Sequence, residues 1–257
     1  MNMMRFTTMK TKLRKYPSIF LILLLAISSC FLTGCVNQHP KDSKKSSQGE
    51  SVETMLEITD PKEKQAVLNA KAKVKALSGN PRIVATSPAV ADICDKLDLD
   101  LVGVPKSSVS KIPSRYKKVK KVGLAMSPDM EIVSSLNPDW ILAPSSLETD
   151  LKPKFEELKN TEYAFLNLRS VQGMYRSVQE LGEIFGKQQE AEKMTKEFTT
   201  FYKSYTKRNK NKKHPKALVL MGLPGSYVIA TENSYVGSLV KLAGGENVYQ
   251  NTDQEFL

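Results

Sequence analysis

Short apolar strands alternate with helices from Pro81 onward, and this alternation constrains the fold more than any other feature of the sequence. The strand segments are nearly continuous apolar runs, which are typical of parallel strands covered by helices on both faces. The clearest of them are "RIVAT", "LVGVP", "DWILAP" and "EYAFLNL". The pattern predicts an α/β fold in which residues 81–170 form an N-terminal lobe around a parallel sheet.

Two Ser-Pro pairs mark the expected starts of helices in this lobe. Ser87 is placed to cap a helix that begins at Pro88, because its hydroxyl accepts from free amides and proline lacks an amide that would need a partner. The pair Ser127-Pro128 follows the segment "VGLAM", which we expect to be a strand. Met126 therefore stands at a turn between strand and helix, although methionine more often fills gaps in a core.

The longest helical pattern covers residues 171–214. Two glycines, Gly182 and Gly186, weaken its start, and His214-Pro215 ends it. Because the apolar spacing is not a strict heptad, a helix that connects two lobes is favoured over a coiled coil. The apolar positions with rough helical spacing are Leu181, Ile184, Phe185, Met194, Phe198 and Tyr202.

A second α/β unit begins after this helix, at residues 215–257. Two strand segments, "KALVLMG" and "YVIAT", precede a helical segment, "SYVGSLVKLAGGENVY". The unit is too short for a second sheet of the first one's size. We therefore expect a truncated C-terminal lobe that exposes apolar sheet surface.

The first 34 residues have the composition of a secretory signal peptide. Five basic residues and no acid are followed by "SIFLILLLAISSCFLTGC", an apolar stretch shorter than a comfortable membrane span. Its last four residues match the bacterial lipobox, so Cys35 is expected to be lipidated and to begin the mature chain. An uncleaved anchor helix is the alternative. Either way, the lobes are expected at the outer face of the cell membrane.

Residues 35–80 are expected to tether the lobes to that membrane, because their first part is polar and rich in Ser and Lys. Within the tether, the sequence of residues 61–77 has a proline at its start followed by good helix formers, and it therefore predicts a short accessory helix. Cys94 is the cysteine left once the signal peptide and the lipidated Cys35 are set aside. An internal disulfide is thereby excluded, and a buried apolar position for Cys94 is favoured.

The sequence lacks the motifs of common enzymes and nucleic-acid binders. No Gly-x-Ser-x-Gly, His-Glu-x-x-His or paired-cysteine pattern occurs, and the two histidines are His39, in the tether, and His214. The net charge is +11, but the basic run at residues 203–216 has no aromatics at a regular spacing. We therefore expect neither catalysis nor nucleic-acid binding. A surface hydrolase that uses Ser226 is the enzymatic alternative.

Three long segments carry a resemblance to a known family. They are "RIVATSPAVADICDKLDLDLVGVP", "VGLAMSPDMEIVSSLNPDWIL" and "HPKALVLMGLPGSYVIATENSYVGSLVKLAGGENV". Over about residues 82–248 the chain resembles the heme-binding lipoproteins of the iron-regulated surface determinant system. The resemblance implies a class III solute-binding fold, with two lobes joined by one long helix. It also implies heme as the cargo, an ABC transporter permease that receives it, and surface heme-relay proteins as possible donors.

In that family one methionine of the first lobe and one histidine of the second hold the heme iron. The resemblance places the methionine at Met126, in a turn at the edge of the sheet where α/β proteins bind ligands. A thioether is a soft ligand suited to heme iron. The alternative is a methionine that is only buried or only exposed. Neither His39 nor His214 matches the histidine, which is expected beyond Leu257, so the chain alone is expected to bind heme weakly or not at all.

Heme carries two propionates, and the turn "TSPAVA" offers them an anion site at the start of a helix. The expected donors are the amides of Ala89 and Val90, helped by the hydroxyls of Thr86 and Ser87. Simple capping by Ser87 is the alternative, and both can hold together. Tyr227, beside Gly225 and Ser226, is expected to line the wall of the second lobe, although an ordinary strand-to-strand turn is equally consistent with this segment.

A siderophore or a corrinoid is the alternative cargo for the same fold. Siderophore sites usually need clustered arginines and aromatics, whereas a methionine next to a glycine-rich strand end fits heme better. The expected role is capture and delivery of heme without any chemical reaction.

Overall fold

The computed structural model of the chain describes residues 5–6, 52–250 and 252–257. The chain divides into two units, residues 1–8 with 51–257 and residues 9–50, and the described residues all belong to the first. Most of the expected signal peptide, the lipidation site Cys35 and the tether residue His39 lie outside the described residues. The signal peptide and the lipid anchor therefore stay predictions.

Strands and helices alternate through most of the described chain, as the sequence predicts. Two single 3-10 turns, Ser114–Tyr116 and Ser145–Leu147, lie between them. The helices are α1 (Val52–Leu56), α2 (Pro61–Lys75), α3 (Pro88–Lys96), α4 (Met130–Ser135), α5 (Glu148–Glu156), α6 (Val171–Phe185), α7 (Gln188–Asn209) and α8 (Tyr235–Leu242). The strands are β1 (Arg5–Phe6), β2 (Ile83–Ala85), β3 (Leu101–Val104), β4 (Lys120–Lys121), β5 (Gly123–Leu124), β6 (Ser127–Pro128), β7 (Trp140–Pro144), β8 (Glu162–Leu166), β9 (Lys216–Ala217), β10 (Val219–Leu223), β11 (Ser226–Ala230) and β12 (Glu246–Asn247).

A six-stranded sheet in the order β1-β8-β7-β2-β3-β4 forms the centre of the N-terminal lobe. Strands β8, β7, β2, β3 and β4 pair in parallel, and β1 adds antiparallel to the edge at β8. Every residue of β2 and β7 is buried, which explains why these strands are continuous apolar runs rather than alternating ones. The parallel α/β lobe predicted from the sequence is confirmed.

Helices cover both faces of this sheet, and each face has its own core. Helices α2, α3 and α6 pack on one face, where Cys94 is fully buried, as the sequence predicts. That burial raises the pKa of the Cys94 thiol to about 12. Helices α4 and α5 pack on the other face around Phe155, Phe165 and Tyr163. Successive strand residues alternate between the two cores, which is the normal period of a β-strand.

The accessory helix predicted at residues 61–77 is present as α2, but it is packed on the lobe and is not part of a free tether. Asp60 caps it by accepting from the amide of Lys62 at 2.8 Å. Val67 and Ala70 lie one turn apart on its buried side and join the core. Lys73 also forms an ion pair with Glu162 of β8. The expected tether boundary at residue 80 is therefore wrong for residues 52–75.

The connecting segment at residues 171–214 is not one helix but two. Helix α6 ends at Gly186, whose φ of 71° is a left-handed conformation that favours glycine and closes the helix. The amide of Lys187 returns to the carbonyl of Gly182 at 2.7 Å. A side chain on Gly182 would collide with Ala191 at the start of α7, so this glycine lets the two helices approach closely. The two glycines that weaken the helical pattern therefore lie where α6 ends and the chain turns into α7.

The C-terminal lobe is present as two strand pairs and one helix. Strand β9 pairs in parallel with β12, and β10 pairs with β11 in an antiparallel hairpin. The segment "KALVLMG", expected to be one strand, is interrupted at Leu218 because its two halves pair with different partners. The expected exposure of apolar surface is confirmed, since many large apolar side chains here face solvent. They include Leu218, Leu220, Met221, Leu223, Val236, Leu239 and Val248.

Within residues 5–6, 52–250 and 252–257, every helix is too short or too polar to cross a lipid bilayer.

Candidate ligand-binding site

The carboxyl ends of the parallel strands meet at one edge of the sheet, where open α/β folds bind their ligands. Strand β2 ends there before Thr86, β7 ends before Ser145, and β8 ends before Asn167. Strand β4 leads at the same edge into the segment that carries Met126. The loops that could contact a ligand are therefore gathered along this edge by the topology alone.

Met126 lies at the tip of a two-residue turn that closes a small β-hairpin. Strands β5 and β6 pair antiparallel, with Leu124 opposite Ser127. The prediction that a helix starts at Ser127 is wrong, because α4 begins only at Met130. Its cap is Asp129, whose carboxylate accepts from the amide of Ile132 at 3.0 Å. The Ser-Pro pair forms the second strand of the hairpin instead.

Backbone bonds hold this hairpin against the end of the sheet. The amide of Val122 donates to Val104 of β3 at 2.9 Å, and the amide of Asp129 returns to Val122 at 2.7 Å. Gly123 has a φ of 95° and leaves no room for a side chain beside the backbone of Asp129. The hairpin is thus fixed to the edge of the sheet by backbone hydrogen bonds of the buried Val122, and these bonds set the position of its tip.

The side chain of Met126 is 75% exposed. The alternative that it fills the core is therefore wrong. Leu124 beside it is also exposed, so the hairpin presents two large apolar side chains at the ligand-binding edge. Exposed apolar groups at such an edge are typical of ligand-binding surfaces. The sulfur of Met126 is in addition a weak acceptor and a soft metal ligand.

The loop between β2 and α3 uses most of its polar groups within the protein. Ser87 accepts from the amide of Val90 at 3.2 Å, so the capping alternative is confirmed and the Val90 amide has a partner. The hydroxyl of Thr86 donates to the carbonyl of Leu142 at 3.3 Å, and both Thr86 and Ser87 are buried. Among the predicted anion donors, Ala89 is the residue that remains exposed. Its amide lies in the first turn of α3, where backbone amides have no carbonyl partner within the helix.

We expect the Ser87→Ala variant to lose about 1 kcal/mol of unfolding free energy, because it leaves the Val90 amide without its acceptor. Urea denaturation followed by circular dichroism measures this loss. Ser226→Ala is the matched control, since Ser226 is exposed, and a change within about 0.5 kcal/mol is expected there. Equal effects of the two substitutions would contradict the assignment of Ser87 as a cap.

A cavity of about 950 Å³ lies between the two lobes at the β7 and β8 end of the same edge. Arg169 follows β8 and forms an ion pair with Glu255, while Ser146, Asn233 and Lys241 line the remainder. None of the residues predicted from the sequence lines it. An arginine three residues after the end of a buried strand was the local signal for Arg169. Its contact with Glu255 spans too much sequence to be predicted.

Tyr227 and His214 lie elsewhere in the C-terminal lobe. Tyr227 follows the turn at Gly225 in the β10–β11 hairpin and is 67% exposed. His214 is exposed, and its Nδ1 is 2.7 Å from the carbonyl oxygen of Gly244. The contact holds His214 at the junction after α7.

The comparisons with known proteins agree with this architecture. The sequence profile of the periplasmic binding protein family matches residues 83–257. The high-affinity heme uptake system protein IsdE of Staphylococcus aureus strain Newman is 40% identical over 181 residues, which are 70% of this chain and 61% of that protein. The chain thus spans about 61% of the length of the curated relatives it matches. The resemblance identified from the sequence is confirmed.

Two solved structures are similar at comparable identity. One is an ABC transporter substrate-binding protein from Listeria monocytogenes EGD-e, 45% identical with a TM-score of 0.65. The other is S. aureus IsdE complexed with heme, 39% identical with a TM-score of 0.65. Each match covers 70% of this chain and 69% of the other. With a family profile that covers most of its length, the chain belongs to the periplasmic binding protein family.

Proposed function

We propose that the chain is part of a lipid-anchored receptor that captures heme outside the cell and delivers it to an ABC transporter permease. The observation that carries this proposal is the exposed thioether of Met126 at the ligand-binding edge of the sheet. It is supported by the 40% identity to a protein described as a heme uptake component and by the similarity to IsdE complexed with heme.

In this proposal Met126 supplies one axial ligand to the heme iron. The hairpin already holds the sulfur outside the core, so binding requires little rearrangement of the N-terminal lobe. Burial of the exposed Leu124 under the porphyrin would add hydrophobic stabilisation, because apolar area removed from water contributes roughly 25 cal/mol per Å². The thioether would favour an iron porphyrin over a metal-free one.

The Ala89 amide and the Tyr227 side chain are the other proposed contacts. Ala89 is exposed at the positive end of α3, a favourable position for a propionate. Thr86, Ser87 and Val90 would act indirectly, by fixing the loop through the Ser87 cap. Tyr227 would contribute from the second lobe. A histidine as the second axial ligand, the lipid on Cys35 and transfer to a permease complete the proposal.

A titration with three cargos tests the function. Hemin, a cobalamin and a ferric siderophore are each added in excess to the protein, and absorbance and fluorescence quenching are followed. A shifted Soret band with hemin is expected, together with no competition from the other two. Binding of the cobalamin or the siderophore without a hemin spectrum would overturn the proposal.

A further inference from the structure

Two buried carboxyl groups face each other where α2 packs against α6. Glu180 of α6 is completely buried, and Glu63 of α2 is nearly so. Both oxygens of Glu180 and the Oε2 atom of Glu63 have no hydrogen-bond donor among the described residues. Buried carboxylates normally accept several hydrogen bonds. Two facing carboxyls without other donors can be joined only by a proton of their own.

The charged groups around the pair cannot neutralise two carboxylates. Arg176, one turn before Glu180 on α6, is the cation that acts on Glu180. Its guanidinium is partly committed elsewhere, since Nη2 donates to the carbonyl of Met55 in α1 at 2.7 Å. On α2, Lys62 and Lys64 beside Glu63 are exposed, while Lys71 pairs with Glu183 and Lys73 pairs with Glu162. Because Arg176 is one cation beside two buried carboxyls, the arrangement favours one ionised carboxylate and one protonated carboxyl.

The direction in which the pKa of Glu180 is shifted agrees with this geometry. Burial, followed by the hydrogen bond to Glu63 and the charge of Glu63, raises the pKa of Glu180 to about 10, while Arg176 lowers it. The packed pair therefore keeps one proton at neutral pH. When α2 leaves the lobe, the Glu180 carboxyl meets water, and its pKa returns toward the ordinary value for glutamate, so it releases its proton.

We propose that Glu63 and Glu180 share one proton and form a pH-sensitive clasp that holds helix α2 on the N-terminal lobe. Opening the clasp releases that proton, so opening becomes more favourable as the pH rises. Helix α2 lies just after the expected tether. Its release would lengthen the chain between membrane and lobe by up to roughly 3.4 Å per freed residue. The pair would thus couple proton concentration to the reach of the receptor.

Hydrogen exchange of the full chain between pH 6 and pH 8 tests the clasp. Protection factors, with the intrinsic pH dependence of exchange divided out, are measured by mass spectrometry for peptides of α2. Because opening releases one proton, the protection of α2 is expected to fall about tenfold per pH unit in the wild-type protein. Peptides of the β10–β11 hairpin, which lies outside the contact between α2 and α6, are expected to show no such slope.

Two variants assign the effect to the carboxyl pair. Glu180→Gln supplies a neutral amide that donates to Glu63, so the slope is expected to vanish while α2 stays protected. Glu183→Gln is the matched control, since it removes the ion pair with Lys71 in the same contact. It is expected to lower protection at every pH and to keep the tenfold slope. A flat wild-type profile overturns the proposal even if a variant fails to fold, and so does an equal slope in Glu180→Gln.

Discussion

Replacing Met126 by leucine is expected to weaken hemin binding at least about tenfold, a loss of about 1.4 kcal/mol in binding free energy. Leucine has nearly the same volume and keeps the apolar contact area of the exposed side chain, but it has no sulfur lone pair. The substitution therefore removes the bond to iron and leaves the hydrophobic contribution. Since the side chain is 75% exposed in the free protein, little change in folding stability accompanies it.

Leu124→Ala is the matched control for Met126→Leu. Leu124 is exposed on the same hairpin, so its truncation removes apolar contact without touching the proposed ligand. We expect Leu124→Ala to weaken binding less than Met126→Leu and to leave the position of the Soret band unchanged. Equal affinities of wild type and Met126→Leu, measured by titration with hemin, would remove Met126 from the site.

Replacing Phe155 by alanine is expected to cost about 3–5 kcal/mol of unfolding free energy, the largest stability effect we predict. Phe155 is fully buried between α5 and the sheet, and its ring stacks on Phe165 with centroids 5.8 Å apart. Tyr163 lies 5.9 Å away on the same face. Removing the ring leaves a cavity that the surrounding strands of a parallel sheet cannot close. Domains of this size have a stability of about 5–15 kcal/mol, so the variant should be close to unfolding.

Denaturation with guanidinium, followed by the fluorescence of Trp140, measures this loss. Phe201→Ala is the control, because Phe201 is 61% exposed on α7 and a change within about 0.5 kcal/mol is expected. A loss for Phe155→Ala no larger than for Phe201→Ala would show that the second core of the lobe is not formed as described.

The alternation of strands and helices was sufficient to predict the N-terminal lobe, because each buried strand is an apolar run bounded by turn residues. The Ser-Pro pairs show where local sequence stops being sufficient. Ser87-Pro88 starts a helix as expected, whereas the same pair at Ser127 continues a hairpin. The difference lies in Asp129, which is the better-placed cap, and in the bonds from Val122 to β3. The second of these depends on which strands are neighbours.

Long-range packing accounts for most of the remaining differences. The helical pattern of α2 was visible, but its docking involves ion pairs of Lys71 with Glu183 and of Lys73 with Glu162, whose partners are far apart in sequence and show no pattern together. The ion pair between Arg169 and Glu255 is equally non-local. The two glycines at Gly182 and Gly186 were correctly seen as unfavourable for a helix. Only the close contact with Ala191 shows that they separate two helices.

The most direct test of the central claim is X-ray absorption at the iron edge of the protein saturated with hemin. If Met126 holds the iron, the wild-type spectrum contains scattering from a sulfur atom bonded to iron. That sulfur contribution disappears in Met126→Leu and persists in Leu124→Ala. A wild-type spectrum fitted by nitrogen and oxygen neighbours alone would contradict iron binding by this side chain.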